Sequence, residues 1–167
     1  MNIIIESTLQ TLYKAQILLL NLTDEQLCNN TVSPYYSSIG SHIRHILDFY
    51  ECLLCFNLEN KIDLTVRSRN KDVESKCISA ENYLTTIIRK LNNYNLDDNK
   101  TVVVVDDLGL GKIDIPYTLS ALFAQANSHT IHHFAIINYI LDSLGINLNQ
   151  CSDFGYNPTT PRQTSIN

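Results

Sequence analysis

Asn127-Ser128-His129-Thr130-Ile131-His132-His133-Phe134 lies inside a long segment, 118–144, whose apolar residues keep the helical period. Leu119, Leu122, Phe123, Ala126, Thr130, Ile137, Ile140 and Leu144 form one stripe. His129 and His133 are four apart, so a helix stacks them on one face, one turn above the other. Both fall within the apolar stripe, and His132 falls off it. Two inward imidazoles at this spacing can share one metal ion, because neutral imidazole nitrogen is the commonest protein donor to zinc, iron or nickel. A buried imidazole pair without partners is costly, which sends the search to other helices for a third donor.

Working outward, the apolar residues of 5–20 (Ile5, Leu9, Leu12, Tyr13, Ile17, Leu19 and Leu20) predict a first helix. Thr23-Asp24-Glu25-Gln26 has capping-box spacing and predicts a short helical turn. A polar linker, 29–34, ends at Pro34. A second long helix then begins between 34 and 38 and runs to about Leu58, with Ile39, Ile43, Ile46, Tyr50, Leu53 and Leu54 as its stripe. It carries His42 and His45, with Asp48 three residues after His45. Either histidine can supply the third donor; periodicity puts His42 nearer the stripe centre and His45 at its margin.

The segment 62–66 reads as a short extended link. Val73, Cys77, Ala80, Leu84, Ile87, Leu91 and Tyr94 then alternate spacings of four and three, the seam of a long third helix packed in a bundle. The period changes at 101–106, which is β-branched. Gly109 and Gly111 supply a turn and 112–116 alternates, so a β-hairpin is expected before the last helix. That glycine pair is too short and wrongly placed for a phosphate loop. The histidine helix ends near Gly145, and 147–167 is a polar tail expected to pack irregularly over one end of the bundle.

The 167 residues suit one domain, 1–167, with a sizeable core. The net charge of −5 argues against a nucleic-acid or anionic-membrane surface. The only basic cluster, Arg67, Arg69 and Lys71, is short. The five cysteines are scattered and odd in number, so a reducing compartment is expected. Cys52-Leu53-Leu54-Cys55 has no second pair and points away from its helix's stripe, so it is read as structural. The opening residues have no basic region and no long apolar core, and no apolar run is long enough to span a membrane; a cytoplasmic protein is expected.

Ile39-Gly40-Ser41-His42-Ile43-Arg44-His45-Ile46-Leu47-Asp48 and Ser128-His129-Thr130-Ile131-His132-His133 together resemble the DinB-like superfamily. So do Val66-Arg67-Ser68-Arg69-Asn70 with Glu74, and the tail from Phe154 to Arg162 is similar to one of its subgroups. The resemblance covers nearly the whole chain in order. It implies an up-and-down four-helix bundle, all-α apart from the inserted hairpin, holding a divalent metal (zinc, nickel or iron) on three histidines. Those residues would be His45, His129 and His133, with His42 lining the pocket or orienting a ligand. Asn70 stands where the subgroup's pattern has an aspartate, which leaves any ion pair there in doubt.

Three histidines leave a coordination position open, the mark of a catalytic rather than a closed site. The resemblance therefore implies a metal-dependent hydrolase or thiol-dependent transferase acting on a small molecule. A non-catalytic metal-binding or stress-response module is the competing expectation. Asp48 and His132 are candidate acid–base residues by their nearness in sequence alone. A homodimer through the helix surfaces is compatible with this reading.

Overall fold

The computed structural model describes residues 2–55 and 60–160. In chain order the elements are α1 (Ile3–Leu20), α2 (Asp24–Cys28), α3 (Ile39–Leu54), β1 (Lys61–Asp63), α4 (Lys71–Ser75), α5 (Cys77–Asn92), β2 (Thr101–Asp107), β3 (Lys112–Thr118) and α6 (Leu119–Ser143). The helices start where side-chain caps satisfy their first free N–H groups. Asn2 accepts from Ile4 N, Ser38 from Ser41 N and Thr118 from Ala121 N. Thr23 and Gln26 form the expected reciprocal capping box on α2. Gly145, at φ 67°, follows the last turn of α6 in the left-handed conformation that glycine adopts without a steric penalty.

The four long helices close a ring of contacts: α1 packs on α5 and α6, and α3 packs on the same two. Leu12, Leu18, Ile43, Leu53, Leu84, Ile87, Leu122, Phe123 and Ile137 fill the space between them. A chain that is all-α but for a hairpin is too narrow a description, because the described residues contain a three-stranded sheet in the order β1-β2-β3. The hairpin β2–β3 is where it was expected, with Thr101 opposite Thr118 and Asp107 opposite Lys112. Asp107 Oδ1 accepts from Gly109 N and Gly111 N across the turn. The unexpected strand is β1, which runs parallel to β2 with Ile62 opposite Val104. Its segment, read as a link, buries Ile62 and Leu64, and Leu64 N donates to Val105 O.

The expected third helix is two helices. Lys76 is extended (φ −129°, ψ 117°) and separates α4 from α5. The cause is non-local: Cys77 N donates to Asp24 Oδ1 of α2 at 2.7 Å, so a distant carboxylate caps α5. The heptad seam survives the break, with Val73, Ala80, Leu84, Ile87 and Leu91 all buried. α3 ends at Leu54, short of the expected Leu58, which lies outside the described residues. The tail packs on the helices around residues 151–155, where Phe154 is buried and stacks on Phe134 at 4.7 Å and Lys14 pairs with Asp153 at 2.6 Å, whereas 156–160 are exposed. Pro161 and Arg162 lie outside the described residues. No helix among the described residues is long and apolar enough to cross a membrane.

Candidate metal centre

The contact between α3 and α6 brings four histidines together. His45 Nε2 lies 2.8 Å from His129 Nε2, and His133 Nε2 lies 3.1 Å from the same atom. One ligand atom from each of His45, His129 and His133 falls within 4.8 Å of the others. Their rings meet edge to face, at centroid separations of 4.5–5.0 Å. Phe49 lies against His129 at 5.4 Å and closes one side of the group. The helix spacing of four on α6 is thus realised, and the third member is His45.

His42 stands one layer out. Its Nδ1 is 2.8 Å from His133 Nδ1, and its Nε2 is 2.9 Å from Ser37 Oγ. The helical wheel had placed His42 nearer the stripe centre. That stripe averages over the contacts of α3 with α4, α5 and α6, so its centre is not the direction of α6. His132 is exposed and makes ring contacts with His129 and His133, but no hydrogen bond among the described residues.

Asp48 is turned away from the histidines. Its side chain is fully buried, and Oδ2 accepts from Arg44 Nη1 at 2.8 Å and from Arg69 N at 3.2 Å. Oδ1 faces the Tyr83 hydroxyl at 3.3 Å. Arg44 in turn donates Nε to Glu74 at 2.8 Å. With its oxygens engaged in this way, Asp48 is a brace between α3, α5 and the 64–70 loop rather than an acid–base group at the centre. Asn70 forms no ion pair; its Oδ1 caps α4 by accepting from Asp72 N.

The brace positions a residue the sequence reading had not placed here. Arg67 donates Nε to Leu64 O and Nη1 to His45 Nδ1, each at 2.8 Å. Ser37, at the other end of the histidine chain, was also missed. Both reach the site from loops, and no spacing in the sequence signals that.

Burial holds the imidazoles neutral. Desolvation is the largest cause in each case, followed by the mutual proximity of the histidines and, for His45 and His129, by Arg67. His45 is lowered to about 4, with Arg67 adding to the effect, and His42, His129 and His133 are also lowered. Neutral imidazole is the form that binds metal.

Proton placement follows from the partners. Guanidinium only donates, so His45 Nδ1 accepts from Arg67 and His45 carries its proton on Nε2. A chain then runs from Arg67 through His45 to His129 Nε2, whose single lone pair takes the His45 proton, while the bonds from Ser37 through His42 end at His133, whose Nε2 faces an acceptor already in use. A metal needs all three Nε2 atoms bare. The Ser37 arm can reverse: His133 Nδ1 donates to His42, and His42 Nε2 donates to the Ser37 hydroxyl, which accepts as readily as it donates. The Arg67 arm cannot, because His45 Nδ1–H would face a donor.

The donor set fits a three-coordinate metal platform. Metal–nitrogen bonds of about 2.0–2.1 Å in tetrahedral geometry put ligand nitrogens about 3.4 Å apart. Two of the separations, 2.8 and 3.1 Å, would need to widen by a few tenths of an ångström, and the third lies within 4.8 Å, with Arg67 withdrawn. The two thiols of Cys52-x-x-Cys55 take no part. Cys52 donates to Val66 O, and Cys55 faces Glu51 and Lys90.

Comparison with known proteins identifies no relative: no family model, no curated protein and no solved structure matches the chain.

Proposed function

We propose that this protein is a metal-dependent enzyme of the DinB-like type, a hydrolase or thiol-dependent transferase working on a small molecule. The observation that carries the reading is the convergence of His45, His129 and His133 from two facing helices. The ring of α1, α3, α5 and α6 supports the bundle architecture that the resemblance implies. Three nitrogen donors leave room for water or substrate, and a divalent metal held there would supply Lewis acidity and lower the pKa of a bound water or thiol. The chain's own residues do the positioning. His42 fixes the ring of His133 through the Nδ1–Nδ1 bond, Ser37 fixes His42, and Phe49 shields His129. His132 is the histidine left with open ring nitrogens beside the centre, which makes it the better candidate for proton transfer to a substrate than Asp48.

The competing reading is a bundle whose histidines are hydrogen-bonded core residues. The Arg67–His45–His129 and Ser37–His42–His133 hydrogen bonds favour it, because they engage these histidines without metal, leaving only the His133–His129 contact unmatched. Metal content of tag-free protein, as purified and after loading with zinc, nickel or ferrous iron, separates the two. Wild type is expected to hold about one metal per chain, and His45→Ala and His133→Ala are expected to lose it. His42→Ala is expected to keep it with roughly 10–100-fold weaker affinity. A wild type that takes up none of the three metals refutes the metal reading. A loaded protein with no saturable activity toward thiol adducts or hydrolysable esters and amides indicates a non-catalytic metal-binding module.

A further inference from the structure

Beside His42 the 32–37 segment and α6 enclose a cleft of about 750 Å³. Val32, Pro34, Ile136 and Ile140 are among its apolar lining residues, and His42 and His132 are its two lining histidines. Tyr35 and Tyr139, 78% and 76% exposed, belong to its rim. Ser33, Ser37 and Ser143 complete the lining, so no lysine, arginine, aspartate or glutamate is among the lining residues. The volume lies in the range of small-molecule sites, about 300–1,000 Å³. His42 bonds directly to His133, so the cleft at His42 adjoins the three-histidine centre.

We propose that this cleft binds a small uncharged molecule with an aliphatic or aromatic body and one hydrogen-bonding end, the end that meets His42 and His132. The argument is one of complementarity. An ionic ligand entering here would lose its hydration and find no countercharge, whereas an apolar body gains by covering Val32, Ile136 and Ile140. His132 offers ring nitrogens that have no hydrogen-bond partner among the described residues, and the two rim tyrosines offer flat apolar faces with polar tips. That this molecule is the substrate rests on the metal reading above; that it binds does not.

The test is fluorescence titration with N-phenyl-1-naphthylamine, an uncharged probe, beside the anionic 1-anilinonaphthalene-8-sulfonate. The expected result is saturable binding with one probe per chain and at least a tenfold preference for the uncharged probe. Ile136→Glu, at a half-buried wall position, and Tyr139→Asp, on the rim, are each expected to weaken the uncharged probe tenfold or more. Both are expected to keep wild-type circular dichroism and metal content. His129→Ala separates the two ideas: loss of metal with probe binding retained is expected, since His129 does not line the cleft. Metal uptake without saturable probe binding overturns the cleft proposal alone, as does binding that neither variant changes. If wild type sediments as a dimer and Tyr139→Asp makes it a monomer that binds the probe better, the face belongs to a second copy of this chain and the proposal fails.

Discussion

Arg67→Gln is expected to tighten metal binding. Arg67 Nη1 donates to His45 Nδ1 at 2.8 Å, which forces the His45 proton onto the nitrogen that faces the metal position. Metal uptake must break this bond and set an N–H where Arg67 now stands. A hydrogen bond to a charged group contributes about 1.5–3 kcal/mol. Arg67 is half-buried and keeps its second bond, to Leu64 O, so the lower end of that range applies. About 1.5 kcal/mol corresponds to roughly tenfold in affinity. Repulsion between the guanidinium and a divalent cation acts in the same direction. Glutamine removes the charge and offers an amide oxygen that can accept from His45 Nδ1–H. Arg67→Lys retains a donor and a charge, so it is expected to change affinity far less.

The assay is competition of each protein with a chromophoric chelator for zinc, at fixed pH, with Ser37→Ala as the control for the opposite arm. Ser37→Ala is expected to weaken binding or leave it unchanged. If Arg67→Gln binds zinc no more tightly than wild type while Arg67→Lys matches it, the proton placement argued for His45 is wrong.

Gly40→Ala is expected to destabilise the protein: an added Cβ would stand 2.7 Å from the Glu74 carbonyl carbon and closer still to its oxygen, and the overpacking cost of about 1–3 kcal/mol exceeds the helix-propensity gain of up to about 1. A urea midpoint equal to or above wild type contradicts the close approach of α3 and α4. Asp48→Ala is expected to cost about 1–3 kcal/mol by leaving Arg44 Nη1 and Arg69 N without their acceptor, Arg44 keeping Glu74, while the refolded protein still takes up zinc; a variant that stays stable but loses activity would restore Asp48 as an acid–base candidate. For metal-free protein, a histidine whose folded pKa lies below its unfolded 6.5 gives stability that is complete above 6.5 and is lost as pH falls through the folded value. Urea midpoints are therefore expected to decline from about pH 6.5 toward about 4, and His45→Gln is expected to shrink that decline; an identical decline in the variant counts against a neutral His45. Cys52, whose thiol burial raises to about 11, is expected to react with iodoacetamide at neutral pH far more slowly than the exposed Cys28, and rapid alkylation of Cys52 would contradict its bond to Val66 O.

The parts legible in the sequence are those written by local period. Apolar spacing located the four long helices, the capping box set α2, and the spacing of four placed His129 and His133 on one face. What stayed hidden depends on atoms far apart in the chain. Asp24 caps Cys77, and so breaks a heptad run that is continuous as text. The parallel strand β1 is three residues long and gains its meaning only from β2. The choice between His42 and His45 turns on the direction of α6 relative to a stripe shared with α4 and α5. The wheel cannot give that direction; the geometry groups His45 with His129 and His133.

Asp48 shows the same limit from the other side. Read by its distance from His45, it looked like part of the centre. The more informative spacing was Arg44 to Asp48, four apart, an ion pair along one helix. That pair, extended by Glu74 and by Arg69 N, fixes the loop from which Arg67 reaches His45. The brace thus acts on the centre through Arg67. Loosening it should free Arg67 and ease metal uptake even as it weakens the fold, so stability and zinc affinity are expected to move in opposite directions in Asp48→Ala.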